Sequence, residues 1–124
     1  MIAILLFTAA LTSPVAEQPE RLSPTGLAAF YVGQRDARDR QVRETYGSTK
    51  PLACERLKTH LAMIQDLKTA KIDGLAVVVD VHDNSNPLLI QKLNDEDIRA
   101  LDAVEQRAEA QVDLMRLRCA RREY

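Results

Sequence analysis

The sequence predicts a mainly α-helical fold: an antiparallel two-helix hairpin tied by a disulfide, with an N-terminal helix across it and a short β-rich or irregular crossover. Three observations predict this. Two long stretches, 51–71 and 94–122, carry apolar residues at three- and four-residue steps, the spacing of one helical face. The chain of 124 residues has two cysteines, Cys54 and Cys119, one near the start of the first stretch and one near the end of the second. Between the stretches lies a short β-branched run, Leu75-Ala76-Val77-Val78-Val79-Asp80-Val81, too short and too branched to favour a helix.

Taken in order, residues 1–16 carry no charged side chain and are mostly apolar up to Leu11, followed by Ser13-Pro14-Val15-Ala16. This reads as a secretory signal peptide with a cut after Ala16, although no Lys or Arg precedes the apolar stretch and Pro14 falls three residues before the cut. The apolar run is short for a membrane-spanning helix. If it is retained, it makes the protein a membrane-tethered structural one. Residues 17–26 are polar, with Pro19 and Pro24, and read as a flexible leader, with Ser23-Pro24 also able to open a helix.

Residues 27–46 read as the first helix. Leu27, Phe30 and Tyr31 supply an apolar patch in its first half. Its second half is a mixed-charge run containing Arg35, Arg38 and Arg43, expected to project into solvent. The second helix is expected over 51–71, with Pro51 in its first turn, Gly74 just past its end, and Cys54, Leu57, Leu61 and Ile64 on its apolar face beside Leu67.

In the crossover, 75–81 is expected to form a strand and 82–86 a turn. Residues 88–91 then either return as a second strand or form a short helix running into the last one. The last helix opens with a strong start signal: Asn94 as cap, Asp97 reaching back, and Leu93 and Ile98 as a hydrophobic staple. Three acids in its first turn and arginines in its last suit the helix dipole. Ile98, Leu101, Ala108, Val112, Met115 and Cys119 form its apolar stripe. Packed antiparallel, the two long helices bring Cys54 and Cys119 together, so a disulfide is expected, with a nominal stabilisation of about 4 kcal/mol in the chain-entropy account.

The domain organisation follows: residues 1–16 signal peptide, 17–26 leader, 27–124 one small helical domain. The net charge is −1, aromatics are sparse and Trp is absent, so a general nucleic-acid binder with base-stacking platforms is not expected. No G-x-S-x-G, phosphate loop, H-E-x-x-H or paired C-x-x-C occurs. No catalytic set and no cofactor are therefore expected. Asp80, His82 and Asp83 are the candidate metal ligands, since imidazole with carboxylates can hold a divalent cation, but they need further ligands. His60 is expected at the boundary of its helix face.

Asp102, Glu105, Glu109 and Asp113 follow one another at helical spacing along the last helix. Such a stripe is explained by solvation, by an internal counter-charge from Arg35, Arg38 and Arg43, or by docking to a basic partner. The resulting functional expectation is a small exported, non-catalytic binding or interaction protein, periplasmic or secreted. Its partner protein is unidentified, a homodimer is open to it, and it contacts membrane only if the N-terminal segment is kept. The rival expectation is a metal-binding protein or enzyme centred on Asp80, His82 and Asp83.

Overall fold

Ser23 starts the first element. Its Oγ accepts the amide of Gly26 at 3.0 Å, its carbonyl accepts Leu27 N–H at 2.8 Å, and Pro24 sits where no amide is missed. In the computed structural model, which describes residues 21–47, 52–80 and 83–122, helix α1 spans Pro24–Tyr46. Of residues 80 and 83–86 the description covers the backbone only. Helix α2 spans Leu52–Asp73, strand β1 Leu75–Asp80, strand β2 Asp83–Lys92 and helix α3 Asp95–Ala120.

Helix α1 stops at Gly47, whose φ of 53° suits glycine and whose N–H caps the Arg43 carbonyl at 2.8 Å. Gly74, with φ 70°, turns the chain from α2 straight into β1, and its carbonyl accepts Leu93 N–H at 2.9 Å. This one residue therefore ends a helix and closes the open end of the hairpin. The expected capping box of α3 is present in full. Asp97 N–H donates to Asn94 Oδ1 at 2.8 Å, and Asn94 N–H donates to Asp97 Oδ2 at 3.1 Å.

The strands pair antiparallel, Leu75 with Lys92 through Val78 with Leu89. The register then slips, so that Val79 faces Pro87 and Asp80 faces Asp83. Pro87 has no N–H to give a ladder, and the irregularity falls beside it. The hairpin reading of the crossover thus holds and the short-helix alternative does not. The turn expected at 82–86 is corrected: residues 83–86 belong to β2. Asp83 there faces Asp80 of β1, and residue 82 lies outside the described residues.

Helices α2 and α3 run antiparallel. Cys54 and Cys119 are disulfide-bonded at one end, with Cα atoms 4.6 Å apart, and Lys71 meets Asp102 at the other. Helix α1 lies against both. It reaches α2 through Asp39–Arg56 and Arg38–Asp66, and α3 through Arg35–Gln111. The fold is therefore mainly helical with a small two-stranded sheet, as expected.

The core joins Leu27 and Tyr31 of α1, Met63, Ile64, Leu67 and Ala70 of α2, Ala76 and Val78 of β1, and Leu101, Val104, Ala108 and Val112 of α3. Aliphatic side chains dominate it, which fits a chain with few aromatics. The buried face of α2 is rotated from the expected one. Leu57 and Leu61 are only partly buried, while Ala53, Thr59, His60, Met63 and Ala70 are buried, because α2 is packed on three sides, by α1, α3 and β1. On α3, Val104 joins the stripe and Met115 stays half-buried.

Residues 21–26, read with the leader, are built into the fold. Leu22 N–H donates to Gln91 Oε1 at 2.7 Å, and Gln91 Nε2 returns a bond to the Leu22 carbonyl at 3.0 Å. Arg21 bonds the Lys92 carbonyl at 3.3 Å and forms an ion pair with Asp97, which is fully buried. The proposed signal peptide and residues 17–20 lie outside the described residues.

Candidate functional site

The disulfide-bonded end of the bundle holds a cleft of about 310 Å³ where all three helices meet. Helix α1 supplies Arg35, Asp36, Asp39 and Arg43. Helix α2 supplies Arg56 and His60, and α3 supplies Gln111, Leu114, Met115 and Arg118. The Cys54–Cys119 bridge ties the start of α2 to the end of α3, so it fixes the spacing of two of the three walls.

Asp39 is the internal anchor. It is buried, and its two carboxylate oxygens take one guanidinium each: Oδ1 accepts Arg56 Nε at 2.8 Å and Oδ2 faces Arg43 Nη2 at 3.1 Å. Arg35 grips Asp36 with Nε and Nη2, both at 3.1 Å, and reaches Gln111 Oε1 at 3.2 Å with Nη1. The arginine-bearing half of α1 therefore does not project into solvent as expected. It packs against α2 through Asp39–Arg56 and Arg38–Asp66 and against α3 through Arg35–Gln111.

His60 is the second correction. It sits in the cleft wall at 5% exposure rather than at a boundary, and its Nδ1 has no hydrogen-bond partner. Burial holds its pKa below the usual imidazole value. Arg35 and Arg56 add to the depression, while Asp39 and Asp36 oppose it. The ring is therefore neutral at physiological pH.

The acidic stripe of α3 has counter-charges, but not the expected ones. Lys71 of α2 contacts Asp102 at 2.5 Å and Glu105 at 2.6 Å, and Lys68 faces Glu109 at 3.9 Å. Burial opposes the charge on Lys71, but the hydrogen bonds to Asp102 and Glu105 outweigh it and raise its pKa. Arg35, Arg38 and Arg43 are directed to Asp36, Asp66 and Asp39 instead. Asp113 is exposed. The stripe and the arginine run thus occupy different flanks of the bundle.

A second exposed feature is the outer face of the hairpin. Val77 and Ile90 stand opposite each other and half-exposed, with Leu75 and Leu88 beside them and Ile72 84% exposed at the end of α2. Periodicity in the crossover pointed to strands, yet gave no sign that this face stays bare.

Of the candidate metal ligands, His82 lies outside the described residues, and the side chains of Asp80 and Asp83 are not described. Asp80 and Asp83 are placed opposite each other at the tip of the hairpin by the strand register. Among the described residues no cluster of three His, Cys, Asp or Glu side chains is placed to hold a metal, and no helix is long and apolar enough to cross a membrane. Comparison with known protein families, with curated proteins and with solved structures found no match to this chain.

Proposed function

We propose that this is a small exported protein of the cell envelope or secreted space that works by binding a partner rather than by catalysis. The observation that carries this reading is the Cys54–Cys119 bridge. Structural disulfides persist in oxidising compartments and are rare in the cytosol, and small domains use them to supplement a limited core. The uncharged apolar segment at residues 1–16 supplies an export address of the matching kind. The binding half of the reading is supported by what the molecule exposes. Leu75, Val77, Leu88 and Ile90 of the hairpin and Ile72 at the end of α2 are exposed aliphatic side chains, and apolar surface of this kind supports a role in binding.

Two measurements test the proposal together. N-terminal sequencing of the protein from the envelope or culture medium is expected to start near Glu17. Alkylation of native, non-reduced material is expected to leave both cysteines unmodified. Recovery of the full-length chain from the cytosol with both thiols alkylated defeats the reading.

A further inference from the structure

We propose that the cleft at the disulfide-bonded end binds a small organic anion, a carboxylate or phosphate head carried on an apolar body. The inference rests on the reading of the molecule as a binding protein and adds the chemistry of what it takes.

The first argument is a count of donors. A guanidinium carries five N–H groups. Arg56 commits its Nε, and Arg43 an Nη2, to the single carboxylate of Asp39. Asp39 therefore holds both guanidiniums in position while leaving most of their donors for something else. Such forks match the geometry of carboxylate and phosphate oxygens.

The second is charge. Four arginines line the cleft against two aspartates, in a chain whose overall charge is −1. The positive field is thus local, and α3 continues away from it into its acidic stripe.

The third is His60. The ring lines the same cleft, is 5% exposed, and keeps an unpartnered nitrogen, an arrangement a structure carries at a cost unless something pairs with it. A neutral ring among arginines also records the field: an anion seated beside it lowers that field and favours the imidazolium. The fourth is the flank. Leu114 is half-exposed at the cleft and Met115 lies beside it, so the site offers apolar contact next to its donors. The volume is at the small end for ligand pockets, which suits a single head group with a short body.

The test uses the full disulfide-bonded chain and reads the His60 imidazole by NMR during addition of inorganic phosphate, acetate and hexanoate. The charged groups facing His60 are Arg35, Asp36 and Asp39 from α1 and Arg56 from its own helix, with Arg118 of α3 lining the same cleft. His82, the other histidine of the chain, is the internal control. Saturable shifts at His60 but not His82, with a raised His60 midpoint, are expected. Hexanoate is expected to bind at least about fourfold tighter than acetate, the effect of roughly one buried methylene.

Leu114→Asp puts a negative charge on an exposed position at the cleft without touching the Asp39 ion pairs, and is expected to abolish saturation while leaving the melting temperature nearly unchanged. Arg43→Gln is expected to weaken binding about tenfold, the loss of one charge-assisted contact. Equal, non-saturating shifts at both histidines, or binding that survives Leu114→Asp in a folded protein, overturns the proposal. Recovery of the disulfide-bonded chain with Met1 to Ala16 still attached defeats the cleaved-signal part of the export reading and leaves this measurement standing, so the two fail separately.

Discussion

Replacing both cysteines with alanine is the perturbation the structure prices most directly. The bridge spans a sequence separation of 65 residues. In the chain-entropy account, closing a loop of that size removes unfolded-state freedom equivalent to about 4 kcal/mol, between the values for loops of roughly 15 and 100 residues. For a domain of this size, each kcal/mol moves the melting temperature by about 4–8 °C, so the Cys54→Ala, Cys119→Ala variant is expected to melt roughly 15–30 °C lower. Both sulfurs sit at half-buried helix ends, so the lost packing adds little. The assay is urea unfolding followed by circular dichroism, on the oxidised protein, the reduced protein and the double variant. Reduced protein and variant are expected to agree within about 0.5 kcal/mol. Both are also expected to show a steeper denaturant dependence, since an uncrosslinked unfolded chain exposes more surface. A loss below about 1 kcal/mol, with an unchanged slope, refutes the claim that the bridge acts by constraining the unfolded chain.

Other outcomes follow from single side chains. Asn94→Ala removes the cap of α3 and half of its capping box and is expected to cost about 1 kcal/mol in chemical denaturation, with Asn94→Gly costing less. Lys71→Ala leaves Asp102 and Glu105 facing each other without their shared cation; a loss of about 1–2 kcal/mol is expected, shrinking in high salt, whereas alanine at Arg38 is expected to cost under about 0.5 kcal/mol because its pair with Asp66 is half-exposed. Tyr31 is buried, and that burial, with Asp66 nearby, pushes its pKa up to about 12. The folded form then keeps the phenol neutral where the unfolded form ionises, so the associated stability is complete below pH 10 and is lost as pH rises from 10 towards 12. This pH dependence should vanish in Tyr31→Phe, as read by alkaline unfolding curves.

Local chemistry made much of this fold legible. The Ser23-Pro24 start, the Asn94–Asp97 box, Gly74 and the β-branched run from Leu75 each act within a few residues, and each is found where its chemistry put it. The disulfide was readable because two helix faces and two cysteines shared one geometric solution.

What escaped reading depends on contacts distant in sequence. Helix α2 turns His60 rather than Leu57 inward because it has neighbours on three sides, and periodicity in one segment does not count neighbours. Lys68 and Lys71 neutralise the stripe on α3, yet nothing in their own helix marks them as the partners. Asp39 and Asp97 are both acids in polar surroundings along the chain, and both are buried in the fold. Each meets an arginine 17 or 76 positions away, and that distance is invisible to a local window.

The clasp made by Arg21 and Leu22 on Gln91 and Asp97 has a temporal consequence. Its two halves are separated by 69 to 76 positions, and the covalent link closes only when Cys119 arrives. Synthesis from the amino end leaves residues 21 and 22 without these partners until Gln91 and Asp97 have been made. The clasp and the bridge therefore both close late, each waiting on a residue of α3.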